Sequence, residues 1–525
     1  MAITRRDFGT LAAAAAGSAS MLWTPARANL LRDSRATGRS SNMEYRTATA
    51  WLQDLRARKI SALELTDQAI ARIEALDGKL NAMAVRDFER ARVAASQADA
   101  ALARGEMRPL LGLPMTVKES FNIAGLPTTW GIPGTQNIKV QQDAVAVSRL
   151  KAAGAVILGK TNVAMLLADW QSTNPVYGTT NNPWDVARTP GGSSGGSAAA
   201  LAAGYVPLEL GSDLAGSLRV PAHFCGVYAH KPTLDLIPDR GQSPPGAPVF
   251  SVSSRFDLPV IGPMARSAED LMLALDVLAG PDDDMATAYK LQLPAPRHAA
   301  LKDFRVLVID SHPQLPIDAA VRDAIAALAS KLEQTGCKIG HTSPLLPDLS
   351  LIGSIYLRKL MAFVGSTMPQ PEYDQAKARA AAILPSASDL QSLSALSLVS
   401  SYRDWMQADF VRVGLAHQWR NFFREWDILL CPVMPTPAFK HDHSPMERRV
   451  VSVDGKPVAY ADQFLWPGIA TLCGLPATAF PAGLSKEGLP VGVQVIGPYL
   501  EDRTPIAFAA LVEQAFGGFV APPPL

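Results

Sequence analysis

Apolar residues recur at helical spacing in several separate segments of the chain. Ser61 and Glu64 stand three residues apart as in a capping box, and the apolar positions that follow, from Leu65 to Leu76, lie mostly three or four residues apart. This pattern is typical of an amphipathic helix. The same reasoning predicts further helices over residues 87–104, 145–153, 267 to about 278 and 319–334, and from Pro505 onward.

Short apolar runs between these helices predict β-strands, over residues 115–118, 155–158, 206–210, 304–309, 427–431, 476–480 and 491–496. Strands that alternate with helices favour a mainly parallel or mixed sheet covered by helices. Residues 345–420 carry helical and irregular patterns without a strong strand. We expect them to form either a cap over a pocket or a peripheral insert. No internal repeat or clear boundary divides the chain.

The composition is that of a soluble globular protein with a large core. Hydrophobic residues make up 48% of the 525 positions, charged residues make up 18%, and the formal net charge is +1. Without a basic surplus the chain offers no electrostatic footprint for phosphate backbones, so nucleic acid is not an expected partner. The four cysteines lack paired spacing and lie in or beside apolar segments. We therefore expect buried free thiols.

The first 28 residues have the features of an export signal. Arg5 and Arg6 precede an uncharged, alanine-rich stretch over residues 9–26, and the segment ends in Ala26-Arg27-Ala28. A basic start, an apolar stretch and a small-x-small ending describe a signal peptide. The adjacent arginines before Asp-Phe resemble a twin-arginine signal, so we expect export to the bacterial periplasm. No other stretch is expected to span a bilayer, and no membrane contact is expected after export.

The heptapeptide at residues 191–197, GGSSGGS, is the first candidate for chemistry. Glycine at this density permits close backbone approaches that a side chain would block, although a tight turn alone would explain it. A P-loop does not fit because no Gly-Lys-Ser/Thr follows. Ser193 and Ser194 each satisfy G-x-S-x-G, but a nucleophile elbow needs a strand directly before it. Residues 182–190 carry turn chemistry instead.

The longer run over residues 191–221, GGSSGGSAAALAAGYVPLELGSDLAGSLRVP, resembles the Gly/Ser-rich signature of the amidase signature family. The upstream segment GLPMTVKE, residues 112–119, resembles the lysine strand of that family. Further segments that resemble the corresponding segments of the family lie at residues 181–183, 224–227, 231–233, 262–266 and 490–494. Residues 300–425 fit poorly, and this part varies within the family.

The resemblance implies three catalytic residues, which are Lys118, Ser193 and Ser217, with Ser217 as the nucleophile. Lys118 lies 75 residues before Ser193, and Ser193 lies 24 before Ser217, as in the family arrangement. The resemblance also implies a cis peptide at Gly192–Ser193 and a single large mixed sheet with helices on both faces. It implies oxyanion donors among the backbone N–H groups of Leu214, Ala215, Gly216 and Ser217, with Asp213 and Arg219 supporting that loop.

Two positions depart from the family pattern. Ala215 stands where glycine is usual, so the loop must avoid positive φ there. His230 stands where an apolar residue is usual, and a packed histidine is the simpler interpretation. Ser148 and Lys151 form an S-x-x-K sequence inside a predicted helix, where a structural role is expected. His441-Asp442-His443 lacks an indicated third ligand, so no metal site is predicted.

The sequence therefore predicts an amidase that hydrolyses a carboxylic amide to an acid and an amine or ammonia through an acyl-serine intermediate. Residues 29–525 would form the catalytic domain, with residues 300–425 as its variable part, and no cofactor is expected. An esterase or carbamate hydrolase, a non-catalytic binding protein and an amidotransferase-type subunit stay as alternatives. The expected partner is a small-molecule amide whose identity the sequence does not give, and a homodimer stays open.

Overall fold

The structure, a computed structural model, describes residues 45–246, 257–384, 386–387 and 389–525. The expected signal peptide, residues 1–28, lies outside the described residues. The strands are β1 (Met83–Arg86), β2 (Pro114–Lys118), β3 (Val156–Thr161), β4 (Thr173–Asn174), β5 (Gly178–Thr179), β6 (Leu208–Asp213), β7 (Tyr228–Lys231), β8 (Val260–Ala265), β9 (Arg305–Val308), β10 (Lys338–Gly340), β11 (Ile428–Pro432), β12 (Val450–Val453), β13 (Lys456–Ala459), β14 (Ala477–Leu484) and β15 (Pro490–Ile496).

The α-helices within the described ranges are α1 (Ala48–Arg56), α2 (Ala62–Leu80), α3 (Phe88–Ala103), α4 (Val145–Ala152), α5 (Gly195–Ala202), α6 (Arg219–Cys225), α7 (Ala268–Leu278), α8 (Asp283–Ala286), α9 (Ala319–Gln334), α10 (Leu349–Ser366), α11 (Gln370–Ala381), α12 (Leu390–Ser397), α13 (Tyr402–Glu425), α14 (Leu465–Thr471) and α15 (Arg503–Phe516). The predicted helices match α2, α3, α4, α7, α9 and α15 to within a few residues. The capping box of Ser61 and Glu64 is formed.

One sheet of eleven strands forms the centre of the molecule, in the order β1-β3-β2-β6-β8-β7-β14-β15-β11-β9-β10. The pairs β3–β2, β2–β6, β11–β9 and β9–β10 are parallel, and the middle of the sheet is antiparallel. The mixed sheet surrounded by helices is confirmed. The strands that were not predicted are β1, β4, β5, β7, β8, β10, β12 and β13. Of these, β8 contains Gly262 and Pro263, which disfavour strands.

Residues 345–420 form helices α10 to α13 in their described part, as their pattern indicated. One expectation is corrected here. Helix α10 is long and apolar enough to cross a membrane by length and composition alone, although half of it is buried inside the fold. It packs against α12, α13 and α14, so its apolar character is explained by the core of the fold. All four cysteines are free and buried, as expected.

The parallel pairing of β2 with β6 positions the candidate site. Thr116 is in register with Glu209, and Val117 with Leu210. Because neighbouring parallel strands run the same way, their carboxyl ends meet at one edge of the sheet. Strand β6 continues to Asp213, three residues beyond the predicted end. The chain therefore delivers Lys118 and Asp213 to the same edge.

Gly159 in β3 provides a test of how closely β3 packs against β1, the outermost strand of the sheet. Its φ is +144°, and a Cβ atom placed there would overlap the carbonyl oxygen of Val85 in the neighbouring strand. Gly488 also has positive φ, +77°, but a Cβ atom there would meet no atom within 4 Å. Alanine in a left-handed conformation costs about 1–2 kcal/mol. Both variants should therefore lose Tm, and Gly159→Ala should lose clearly more than Gly488→Ala. Equal losses in thermal unfolding would contradict the close approach of β1 to β3.

Candidate active site

Lys118 is the last residue of β2, and its side chain is fully buried. Its Nζ lies 2.7 Å from Ser193 Oγ and 3.0 Å from Ser212 Oγ. Burial lowers the pKa of Lys118 to about 7, against the opposing effect of the negative charges of Asp213 and Glu209. A substantial fraction of the amine is therefore neutral near pH 7, and a neutral amine can accept the proton of a neighbouring hydroxyl.

Ser193 lies in the turn that leads into α5, and the peptide bond that joins it to Gly192 is cis. The cis bond agrees with what the family resemblance implied. The segment directly before Ser193 is not a strand, so the nucleophile-elbow alternative is wrong. Ser194, the next residue, makes different contacts from those of Ser193. Its hydroxyl donates to Ser212 C=O at 3.3 Å, whereas Lys118 contacts Ser193.

Ser217 lies in the loop between β6 and α6 and keeps 7% of its surface exposed. Its backbone is tied to the Ser193 turn, because Ser194 N–H donates to Ser217 C=O at 3.2 Å. Its hydroxyl makes no hydrogen bond to any of the described residues. The structure thus joins Lys118 and Ser193 directly and brings Ser217 beside them through its main chain.

In the loop of residues 214–217, the carbonyl groups accept hydrogen bonds, whereas most of the N–H groups have no hydrogen-bond partner among the described residues. Tyr356 Oη donates to Leu214 C=O at 3.0 Å, and Trp170 Nε1 donates to Ala215 C=O at 2.9 Å. Val220 N–H donates to Gly216 C=O at 2.7 Å. Within the described part of the chain, the N–H groups of residues 214, 215 and 217 make no hydrogen bond. Fixed carbonyls with unpaired N–H groups form the arrangement that an oxyanion requires.

One of the expected oxyanion donors already has a hydrogen-bond partner. Gly216 N–H donates to Asp213 Oδ1 at 2.8 Å, so this donor already has a partner. The candidates are therefore Leu214, Ala215 and Ser217. The positive φ of the loop, +95°, falls on Gly216, and Ala215 avoids the positive region as its side chain requires. Alanine at 215 is accommodated for that reason.

Asp213 and Arg219 form a fully buried, bidentate ion pair that organises this loop. Arg219 Nε and Nη2 donate to the two carboxylate oxygens at 3.0 and 2.9 Å. The same carboxylate also accepts Leu218 N–H at 3.1 Å. Burial would raise the pKa of Asp213, but the Arg219 guanidinium outweighs it and holds that pKa at about 2. Both residues support the loop from inside the protein, as expected.

Several residues that complete the site were not predicted from the sequence. Arg219 also donates to Pro467 C=O, to Gln494 Oε1 and to Thr471 Oγ1, at 3.0, 2.7 and 2.9 Å. The further unpredicted contributors described above are Trp170, Ser212 and Tyr356. Gln494 and Ser212 lie in segments that resembled the family, whereas no sequence signal pointed to the others.

The remaining sequence candidates have structural roles in the described residues. His230 is fully buried, with its ring nitrogens 2.9 Å from Thr478 Oγ1 and 3.1 Å from Asp502 Oδ1, so the packed interpretation is confirmed. Lys151 forms an ion pair with Asp143 at 2.8 Å, and both side chains are partly exposed. His441 stacks on His443. No group of three or more His, Cys, Asp or Glu side chains in the described part of the chain is placed to hold a metal ion.

Comparison with known proteins shows the family to which this chain belongs. The amidase family model matches residues 64–505. The glutamyl-tRNA(Gln) amidotransferase A subunit of Roseiflexus castenholzii is 35% identical over 482 residues, which cover 88% of this chain and 94% of that protein. The fatty-acid amide hydrolase 2-A of Danio rerio is 31% identical over 503 residues, covering 89% and 88%.

Among solved structures, a bacterial aryl acylamidase of the amidase signature enzymes matches with a TM-score of 0.74 at 22% identity. The match covers 90% of this chain and 96% of that chain, and it shows the shared fold. The chain belongs to the amidase family. It is an enzyme that hydrolyses amides.

The hydroxyl of Tyr356 gives a direct test of the loop geometry. Tyr356→Phe removes only the hydroxyl that donates to Leu214 C=O. This carbonyl is then no longer fixed by a hydrogen bond, while the packing of the aromatic ring in the core is kept. We expect kcat to fall about tenfold with little change in KM, because a transition-state interaction is weakened. The matched control is Tyr205→Phe, since Tyr205 is equally buried and donates to Asp77 at 3.4 Å, outside the loop. Unchanged kcat in Tyr356→Phe would contradict the role of the loop.

Proposed function

We propose that this amidase uses Ser217 as nucleophile, with Lys118 as the base that acts through Ser193. The contact of 2.7 Å between Lys118 Nζ and Ser193 Oγ carries this proposal. Neutral Lys118 takes the proton of Ser193, and Ser193 takes that of Ser217, whose hydroxyl turns toward it about its Cα–Cβ bond. A serine hydroxyl becomes an effective nucleophile only when a base removes its proton in this way.

Ser217 Oγ then forms a bond with the amide carbon, and the carbonyl electrons move onto oxygen. In this mechanism the N–H groups of Leu214, Ala215 and Ser217 stabilise that negative oxygen, and losing one such donor typically costs about 3–4 kcal/mol. Lys118 returns its proton through Ser193 to the leaving nitrogen as the C–N bond breaks. Water then gives a proton to the same relay and cleaves the acyl-serine ester, and Ser217 regains its proton.

The pH dependence of the reaction follows from the state of Lys118. The amine acts as a base only when neutral, and its pKa is about 7. The value of kcat/KM should therefore rise with pH through about 7, because the pH dependence of kcat/KM reports the pKa values of the catalytic groups in the free enzyme.

We further propose that the chain works as an exported, monofunctional amidase. The twin-arginine-like segment with its small-x-small ending supports export of residues 29–525 to the periplasm. The relatives that are amidotransferase A subunits raise a second candidate, a component of a larger assembly. A purified chain that hydrolyses amides without any added protein favours the first candidate. Activity that needs an added partner protein favours the second.

Substitution of the proposed nucleophile and base tests the mechanism. In an amide substrate screen, Ser217→Ala and Lys118→Met should each lose at least about 10³-fold in kcat, because residues that act as a unit fail together. The control is Ser397→Ala, since Ser397 is a buried serine in α12 whose hydroxyl donates to Leu393 C=O of its own helix at 2.6 Å. It should retain activity. Full turnover by Ser217→Ala would exclude the mechanism. Full turnover by Lys118→Met would exclude only the assignment of Lys118 as the base.

Fractionation of cells that express the full chain tests export. The protein should appear in the periplasm with its N-terminus at Asn29, after removal of residues 1–28. Conversion of both Arg5→Lys and Arg6→Lys should retain the unprocessed chain in the cytoplasm, because the twin-arginine receptor reads the arginine pair. A single conversion of Arg27→Lys, beyond the basic start, serves as the charge-matched control and should leave export intact. Cytoplasmic, unprocessed wild-type protein would contradict the proposal.

A further inference from the structure

A layer of buried polar side chains lies beside Lys118 at the sheet edge. Its members are almost completely inaccessible to solvent and are Thr116, Thr161, Ser197 and Glu209. Thr116 and Lys118 are two residues apart on β2, so their side chains share one face of the sheet. Thr116 Oγ1 donates to Glu209 Oε1 at 2.5 Å. The carboxyl of Glu209 is therefore on the same face as Lys118.

The groups around this carboxyl are hydrogen-bond donors. Besides Thr116, Leu210 N–H donates to Glu209 Oε2 at 3.0 Å. Thr161, which is in register with Lys118, shares a hydrogen bond of 2.8 Å with Ser197 next to this carboxyl. Donors satisfy a carboxylate, which only accepts, better than they satisfy a protonated carboxyl. The surroundings of Glu209 thus suit a buried anion.

Glu209 is the carboxylate near Lys118 that is available to balance the positive charge of the protonated lysine. The charged groups that act on Lys118 are Asp213 and Glu209, and Asp213 is already paired with Arg219. Glu209 forms no ion pair with any described residue. The other elements packed here present uncharged groups, namely Thr161 from β3, Ser193 and Ser197 from the turn and α5, Ser212 from β6, and Met264, which pairs with Glu209 from β8.

We propose that Glu209 is a positioning residue for the reaction: it supplies the counter-charge of protonated Lys118 and so sets the pH at which the base becomes active. The inference rests on the proposed role of Lys118 as base. Glu209 is in register with Thr116, two residues before Lys118 on the same face of the sheet, so the two buried charges are neighbours across adjacent strands and interact appreciably. Without that anion a buried lysine would lose its proton more easily and would be a weaker base.

The protonation of Glu209 is consistent with this role. Burial raises the pKa of Glu209 to about 7, and hydrogen bonds from Thr116, Ser197 and Thr161 keep it from rising further. Over the range in which Lys118 loses its proton, Glu209 also becomes an anion. The anion then favours the charged form of Lys118, so it moves the pKa of the lysine upward.

The pH profile of Glu209→Gln tests the inference. Since the amide has no charge, Lys118 should lose its proton at lower pH. The acidic limb of kcat/KM should move about one pH unit toward acid, and the alkaline plateau should fall because the base is weaker. The matched control is Glu513→Gln, because Glu513 is a carboxyl in α15 whose pKa burial also raises to about 7. The control should keep the wild-type limb.

A second variant keeps the test decisive if Glu209→Gln does not fold. Thr116→Val preserves shape but removes the donor to Glu209, so that the carboxyl holds its proton to higher pH. Its acidic limb should move in the same direction by a smaller amount. A limb that stays in place or moves toward higher pH in the folded variant would overturn the inference. Lys118→Met tests the role of the base separately. If activity is lost in Lys118→Met but the acidic limb of Glu209→Gln stays at the wild-type pH, the role of Glu209 is refuted and the role of Lys118 as base is not.

Discussion

The buried ion pair between Asp213 and Arg219 is the interaction on which the arrangement of the site depends. Removing two charges from water costs several kcal/mol per ion, and only excellent geometry with further hydrogen bonds offsets this. Here the carboxylate accepts bonds from the guanidinium and from Gly216 and Leu218 N–H. The guanidinium reaches Pro467, Thr471 and Gln494 as well. One pair therefore joins β6, α14 and β15 around the reactive loop.

The conformation of the loop follows from that pair. Asp213 draws the Gly216 N–H inward, and the positive φ of Gly216 lets the chain make this turn. Tyr356 and Trp170 donate hydrogen bonds to the two preceding carbonyls, those of Leu214 and Ala215. The N–H groups at 214, 215 and 217 are left without partners among the described residues. An oxyanion is the ligand that such a set of fixed, unpaired donors would stabilise most.

The sequence contained much of the site but not the contacts that hold it. Lys118, Ser193 and Ser217 were predicted from the resemblance of their segments to the amidase signature family, and helices α7 and α9 were predicted from their apolar periodicity. The supporting residues were out of reach because their contacts are distant in sequence: Trp170 meets Ala215 across 45 residues and Tyr356 meets Leu214 across 142. Strand β8 was missed because Gly262 and Pro263 disfavour a strand locally, and only its neighbours in the sheet make it one.

The central claim is that the acyl group of the substrate is carried by Ser217. Peptide mapping by mass spectrometry, after acid quench of the enzyme during turnover of a slowly deacylated ester, measures this directly. The account predicts an added acyl mass on the peptide that contains Ser217, located on that residue by fragmentation, and its absence from Lys118→Met. An acyl group on Ser193 or Ser194, with Ser217 unmodified, would contradict the account.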